Sequence, residues 1–217
     1  IETLKGKKTK TPIWLMRQAG RHLPEYIKIR QKYKDLMEMF LDPEVITNIS
    51  LQPVQRYGLD ACILFSDILM IPYASGCDVS FKEGVGPQVK FNERFNFASH
   101  KLDPVIKGIE NIKKASEVPL IGFVGGPWTT LLYCLFDKEE RSQMNKGLIH
   151  KNEKIINTHI EDLTDIISNY AAQQVNAGID AFQIFESAAE DLEDEYFDRW
   201  CLKPTQKIIH SIKSKTD

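Results

Sequence analysis

Short apolar runs alternate with longer helical stretches along this chain, and that alternation most restricts the folds open to it. Residues 13–16, 61–65, 120–124 and 181–185 read as strands, each a brief apolar segment bounded by polar or turn-forming residues. Residues 24–39, 43–57, 102–116, 128–135 and 153–176 carry helical patterns, and a last helix runs on through about residue 211. The second of these opens at Asp42-Pro43, a capping carboxylate followed by a proline. A Gly/Pro-punctuated section over residues 71–90 reads as a hairpin-like excursion. Strands separated by helices imply a parallel sheet.

Polar residues gather where these strands end. Arg17 follows the first strand, Asp67 the second, residues 125–133 the third and Ser187 the fourth. In a (β/α)8 barrel the loops after different strands converge on one mouth. A doubly wound open sheet also holds its ligand beyond the carboxyl ends of its strands. The first strand-to-helix turn, residues 16–26, lacks the Gly-x-Gly-x-x-Gly spacing of a dinucleotide site, which favours the barrel. The expected fold is therefore α/β, a (β/α)8 TIM barrel of which this chain holds about the first four strand–helix units, because four strands cannot close such a barrel. Residues 1–217 read as a single domain, an incomplete barrel, with no linker composition, internal repeat or low-complexity tract to divide them.

Charge and cysteine usage exclude several classes of function. Lys+Arg of 28 against Asp+Glu of 30 gives a formal net charge of −2, so no global field favours nucleic acid or a membrane surface, and binding of an acidic ligand must be local. No apolar stretch approaches the roughly 20 residues of a membrane-spanning helix. Residues 1–10 are basic but lack a signal peptide's apolar segment, which argues against secretion. Cys62, Cys77, Cys134 and Cys201 are widely spaced, without Cys-x-x-Cys, and read as reduced thiols of a reducing compartment. His22, His100, His150, His159 and His210 have no partner at ligand spacing, so no metal site is expected.

The segment Trp14-Leu-Met-Arg-Gln-Ala-Gly-Arg-His-Leu-Pro-Glu-Tyr26 delivers Arg17 and Arg21 into a turn marked by Gly20. Each arginine presents a planar fork of donors that fits a carboxylate bidentately, so the pair suits a polyacidic ligand, the alternative being two solvated surface arginines. Asp67 is either a functional carboxylate or, with Ser66, a cap for the segment starting at Ile68. Trp14 is expected to pack in the barrel wall, and the acidic run from Glu190 to Glu195 to form a solvated helix start.

Four blocks resemble one family in its own order. They are MRQAGRHLPEY over residues 16–26, Phe65-Ser-Asp-Ile-Leu69, Pro119-Leu-Ile-Gly-Phe-Val-Gly-Gly-Pro-Trp-Thr129 with Tyr133 behind it, and Phe182-Gln-Ile-Phe-Glu-Ser187. Together they are similar to the uroporphyrinogen decarboxylases, which remove carbon dioxide from the four acetate side chains of a porphyrinogen. The resemblance implies a single-domain TIM barrel of more than 300 residues, longer than this chain. It also implies a substrate-binding histidine in a later region, a role no residue here is assigned. Residues 92–117 read as shorter than the family's equivalent.

The resemblance further implies decarboxylation of uroporphyrinogen III to coproporphyrinogen III with no cofactor. Asp67 and Arg17 are the catalytic candidates, Asp67 offsetting the positive charge of a protonated pyrrole. Arg17, Arg21 and the backbone amides of Gln18, Ala19 and Gly20 fit the substrate's carboxylates. Arg30 matches an arginine present in part of the family, though its lysine-rich helix also suits a solvated side chain. Tyr133 and Ser187 offer hydroxyls to the substrate, against the alternatives of packing and capping, and Glu186 is a titratable neighbour of Ser187. A homodimer in the cytoplasm, with a plastid-type organelle as the alternative compartment, completes the expectation. The rival functions are a related barrel methyltransferase acting on a thiol or corrinoid, which needs a zinc ligand set not found in these residues, and a non-catalytic porphyrinogen-binding derivative.

Overall fold

The computed structural model describes residues 1–7, 10–82, 86–190 and 192–214. A carboxylate and a proline start the first long helix as expected: Asp42 Oδ1 accepts from the amides of Glu44 (2.9 Å) and Val45 (3.2 Å), and Pro43 takes the first helical position. That helix, α3 (Pro43–Tyr57), stops at Gly58, whose φ of 63° is left-handed. Two shorter helices precede it, α1 (Pro24–Arg30) and α2 (Leu36–Phe40), where the sequence predicts one helix over residues 24–39. Side chains make the break. Arg30 Nη1 donates to the carbonyl of Tyr33 at 2.7 Å, Tyr33 Oη donates to Asp42 at 2.6 Å, and Asp35 caps α2 by accepting from Glu38 N at 2.9 Å.

Strand β1 (Cys62–Ile63) follows, then α4 (Met70–Ala74) and an antiparallel pair, β2 (Asp78–Lys82) with β3 (Gly86–Lys90). This pair is the hairpin-like excursion, and its connecting residues 83–85 lie outside the described ones. A 3-10 turn (Ser99–Leu102) leads into α5 (Asp103–Ala115), then β4 (Leu120–Gly125), α6 (Pro127–Leu135) and α7 (Lys138–Ser142). The long helix α8 (Lys146–Asn176) begins earlier than the expected residue 153, because Asn145 Oδ1 accepts from Leu148 N at 3.1 Å and starts it. The chain continues through β5 (Ala181–Phe185), α9 (Asp194–Phe197), a π-helical turn (Asp198–Leu202) and α10 (Lys203–Lys213). In the acidic run, Asp191 lies outside the described residues, while Glu193, the N-cap of α9, and Glu195 are exposed.

The central sheet has the order β1-β4-β5, and β1 pairs β4 in parallel with Cys62 opposite Leu120. At β5 the amide of Asp180 donates to Leu120 O, and at the other end the amide of Gly126 donates to Phe185 O, so β4 and β5 run the same way. The fold is α/β with a parallel sheet and intervening helices, as the alternation requires.

Residues 13–16 do not join that sheet. Ile13 exchanges two hydrogen bonds with Asp60, one through its carbonyl and one from its amide to the Asp60 carboxylate, but no strand forms. Trp14, expected in a barrel wall, is 36% exposed, and Ile13 is 60% exposed. An apolar extended run becomes a strand only when a neighbour takes up its amides and carbonyls, and no strand pairs with it among the described residues.

The chain divides into two compact units: Ile1–Asp67, Leu102–Phe123 and Gln173–Gln183 form the first, and Ile68–Lys101, Val124–Ala172 and Ile184–Asp217 the second. In the first, Leu23, Tyr26, Met39, Val45 and Ile49 form a core. Gly108 of α5 meets Ile46 of α3 so closely that an added Cβ would lie 2.6 Å from Ile46 Cγ2. In the second, Trp200 stacks between Trp128 (5.3 Å) and Tyr196 (4.4 Å) and donates to Asn157 at 2.7 Å. All four cysteines are buried and free.

Candidate active site

In the first unit the arginine turn is pinned from beneath. Gln18, 3% exposed, reaches the backbone at β1, donating to Ala61 O at 2.9 Å and accepting from Ile63 N at 3.2 Å. Its neighbour Ala19 packs on the Leu23–Tyr26 core, and the amide of Leu23 donates to Gly20 O at 3.0 Å to close the turn. Gly20 has a φ of 153°, a conformation side chains rarely adopt. With Gln18 and Leu23 buried, Arg17 and Arg21 are exposed on a turn the core holds fixed. The backbone amides of Gln18, Ala19 and Gly20 donate to no acceptor among the described residues.

Gln18 thereby ties this turn to β1, the strand that Asp67 follows. The segment between is held too: Phe65 N donates to Ser50 Oγ at 2.8 Å, and the Phe65 ring packs against Phe40 and Tyr26. Asp67 is half-buried, and α4 begins at Met70 with Leu69 at its N-cap, so Asp67 stands ahead of the capping position. Arg30 does not extend toward a ligand by one of its arms, which is spent on Tyr33 O at the end of α1.

In the second unit Tyr133 and Ser187 come together. They line a cavity of about 240 Å³ with Trp128, Thr129, Met144 and Arg141. Tyr133 sits where a helix opening at Gly126-Pro127 places it, and Ser187 stands just past β5. Arg141 was invisible to sequence reasoning, since it closes the charged run Lys138-Glu-Glu-Arg141 and carries no motif. Its guanidinium lies 4.3 Å from the centre of the Tyr133 ring.

Glu186 fastens this corner. Its carboxylate accepts from Trp128 N (2.8 Å), Thr129 N (2.9 Å) and Thr129 Oγ1 (2.7 Å) at the start of α6. Thr129 Oγ1 in turn accepts from Ala188 N at 3.1 Å, and Trp128 Nε1 donates to Ala188 O at 3.0 Å. Gly126 is required beside it, because a Cβ there would lie 2.4 Å from the Glu186 carboxyl carbon. Burial pushes the Glu186 pKa up to about 7, while the donors from Thr129 and Trp128 pull the other way. Glu186 is thus a positioning residue that holds the Ser187 turn against the helix carrying Tyr133.

Among the described residues no cluster of His, Cys, Asp or Glu could hold a metal ion, and no helix is long and apolar enough to cross a membrane. The fold and these groups define an α/β protein with a parallel sheet, with the carboxylate of Asp67 beyond β1 and two arginines on a turn anchored to β1 in the first unit, and the hydroxyl of Ser187 beyond β5 in the second. The family model for uroporphyrinogen decarboxylase (URO-D) matches residues 1–217, and the chain belongs to that family. The uroporphyrinogen decarboxylase of Rickettsia rickettsii (strain Sheila Smith) is 39% identical over 223 residues, and that of Chelativorans sp. (strain BNC1) 36% over 226. The alignments cover 98% and 99% of this chain, which spans 64% and 66% of those relatives. A solved methyltransferase from Methanosarcina mazei superimposes with a TM-score of 0.74 over 97% of this chain and 65% of its own, at 20% identity, a likeness of fold alone.

Proposed function

We propose that the protein decarboxylates the four acetate side chains of uroporphyrinogen III, without a cofactor, to give coproporphyrinogen III in porphyrin and haem biosynthesis. The arginine turn carries this reading: Gln18 anchors it to β1 while Arg17 and Arg21 stay exposed. A substrate with eight carboxylates needs fixed cationic forks, and a turn held by a buried side chain supplies them at low entropic cost.

The chemistry follows from the substrate. A proton adds to the pyrrole α-carbon next to the carbon that bears the acetate, and the ring becomes a cationic electron sink whose charge reaches the acetate-bearing carbon. The bond to the carboxylate carbon then breaks, carbon dioxide leaves, and its electron pair neutralises the ring. The exocyclic carbon takes up a proton to become a methyl group, and the ring proton is lost. In this reading Asp67 accepts the pyrrole N–H groups and offsets the cation, which is stabilisation aimed at the transition state. Arg17 and Arg21 hold carboxylates, together with the amides of Gln18, Ala19 and Gly20. Tyr133 and Ser187 supply hydroxyls, and Arg30 uses the arms its bond to Tyr33 leaves.

The same reading takes residues 1–217 as one domain, the first four strand–helix units of a (β/α)8 barrel, with residues 13–16 pairing only in the closed barrel. It takes the protein as a cytoplasmic homodimer, with a plastid-type organelle as the other compartment. The test is anaerobic incubation of the full-length protein with uroporphyrinogen III, followed by chromatography of the oxidised products. Stepwise loss of carboxylates is expected, with Arg17→Lys and Arg21→Lys raising KM because an ammonium lacks the bidentate fork. Unchanged eight-carboxylate substrate, from protein shown to be folded, rejects the proposal.

A further inference from the structure

Arg141 has no place among the residues expected to meet the substrate, yet it lines the same cavity as two of them, Tyr133 and Ser187. It is half-buried, and none of its bonds is to a carboxylate among the described residues. Asp137, Glu139 and Glu140, on or beside the same short helix, are exposed and form no ion pair with it. The hydroxyls of Tyr133 and Ser187 likewise have no hydrogen-bond partner among the described residues. A partly desolvated cation and two residues with unspent hydroxyls therefore line one concavity, an arrangement that favours an anion.

The guanidinium is also held in place before any ligand arrives. Nη1 donates to Phe136 O at 2.6 Å, which fixes one edge of the fork, and the Tyr133 ring 4.3 Å away fixes its plane. The remaining donors, Nη2 and Nε, are those a carboxylate takes bidentately. At about 240 Å³ the cavity falls below the roughly 300–1,000 Å³ that enclose a drug-sized ligand, so it suits one substituent rather than a macrocycle.

We propose that Arg141 is a substrate-binding residue that takes one carboxylate-bearing side chain of the porphyrinogen into this cavity, with the Tyr133 and Ser187 hydroxyls as further donors. The proposal rests on the decarboxylase reading for the identity of the substrate. The competing role is structural, tying the end of α6 to α7 through Phe136 O, and it would show as lost stability without a change in KM.

The experiment measures initial rates on uroporphyrinogen III and thermal melting for the full-length wild type, Arg141→Lys and Arg141→Gln. Arg141→Gln is expected to raise KM roughly 10- to 100-fold, the loss of a charge-assisted contact, with kcat within about threefold of wild type. Arg141→Lys, keeping charge without the fork, should fall between them. KM within twofold of wild type in both variants overturns the proposal, whatever happens to melting. If the wild type does not turn the substrate over, the decarboxylase reading fails separately. Tryptophan-fluorescence titration with coproporphyrin III and its tetramethyl ester then decides Arg141 by itself. Wild type preferring the free acid, with the preference lost in Arg141→Gln, sustains the site. Equal binding of the free acid by wild type and Arg141→Gln removes it.

Discussion

Replacing Glu186 with Gln separates burial from hydrogen bonding at the joint between α6 and the Ser187 turn. The carboxylate receives three donors from Trp128 and Thr129, yet burial dominates and raises its pKa from 4.5 to about 7. The folded chain therefore binds this proton more tightly than the unfolded chain does. Stability from Glu186 is fully present below about pH 4.5 and is lost as pH rises through about 7. At about 1.4 kcal/mol per pH unit, that separation is worth about 3 kcal/mol. Gln mimics the protonated acid in size and cannot ionise, so its stability does not carry this loss as the pH rises. Thermal unfolding followed by circular dichroism from pH 5 to pH 8 reads the difference between wild type and Glu186→Gln, in which other titrating groups cancel. For a chain of this size about 3 kcal/mol corresponds to roughly 6–12 °C. The melting temperature of the variant should thus rise relative to wild type by about that amount across the range. A flat difference would refute the reasoning. A difference of opposite sign would mean that the donors and the helix terminus outweigh burial and hold the carboxylate ionised.

Asp67→Asn should lower decarboxylation on the order of 100- to 1000-fold and Asp67→Glu less, with melting little changed, measured as single turnovers on the same preparations used for melting. Normal turnover per folded molecule in Asp67→Asn would sink the electrostatic role. Gln18→Leu leaves Ala61 O and Ile63 N without their partner, so it should cost on the order of 2 kcal/mol in denaturant unfolding. The same variant should also raise KM for uroporphyrinogen, since the arginine turn loses its anchor. Wild-type stability would show that the Gln18 bonds contribute nothing net.

Local chemistry fixed much of what the sequence could reveal. Asp42, Pro43 and Gly58 bound α3 because capping and a left-handed stop involve only neighbouring residues. The spans of β4 and β5 and the arginine turn were legible for the same reason, the parallel sense of the sheet followed from the alternation of strands with helices, and four short blocks carried the family. Tertiary structure decided the rest. The break between α1 and α2 is held by Tyr33 reaching Asp42, the cap of α3, and residues 13–16 have the composition of a strand but, among the described residues, lack a strand to pair with. In the candidate site, Gln18 is an anchor only because β1 lies beneath it, and Glu186 acquires a pKa near 7 only when α6 and β5 bury it together. Arg141 becomes a neighbour of Tyr133 and Ser187 only once a cavity forms among them. Caps and periodicity are written within a few residues of chain, whereas pairing, burial and cavities require segments distant in sequence to meet.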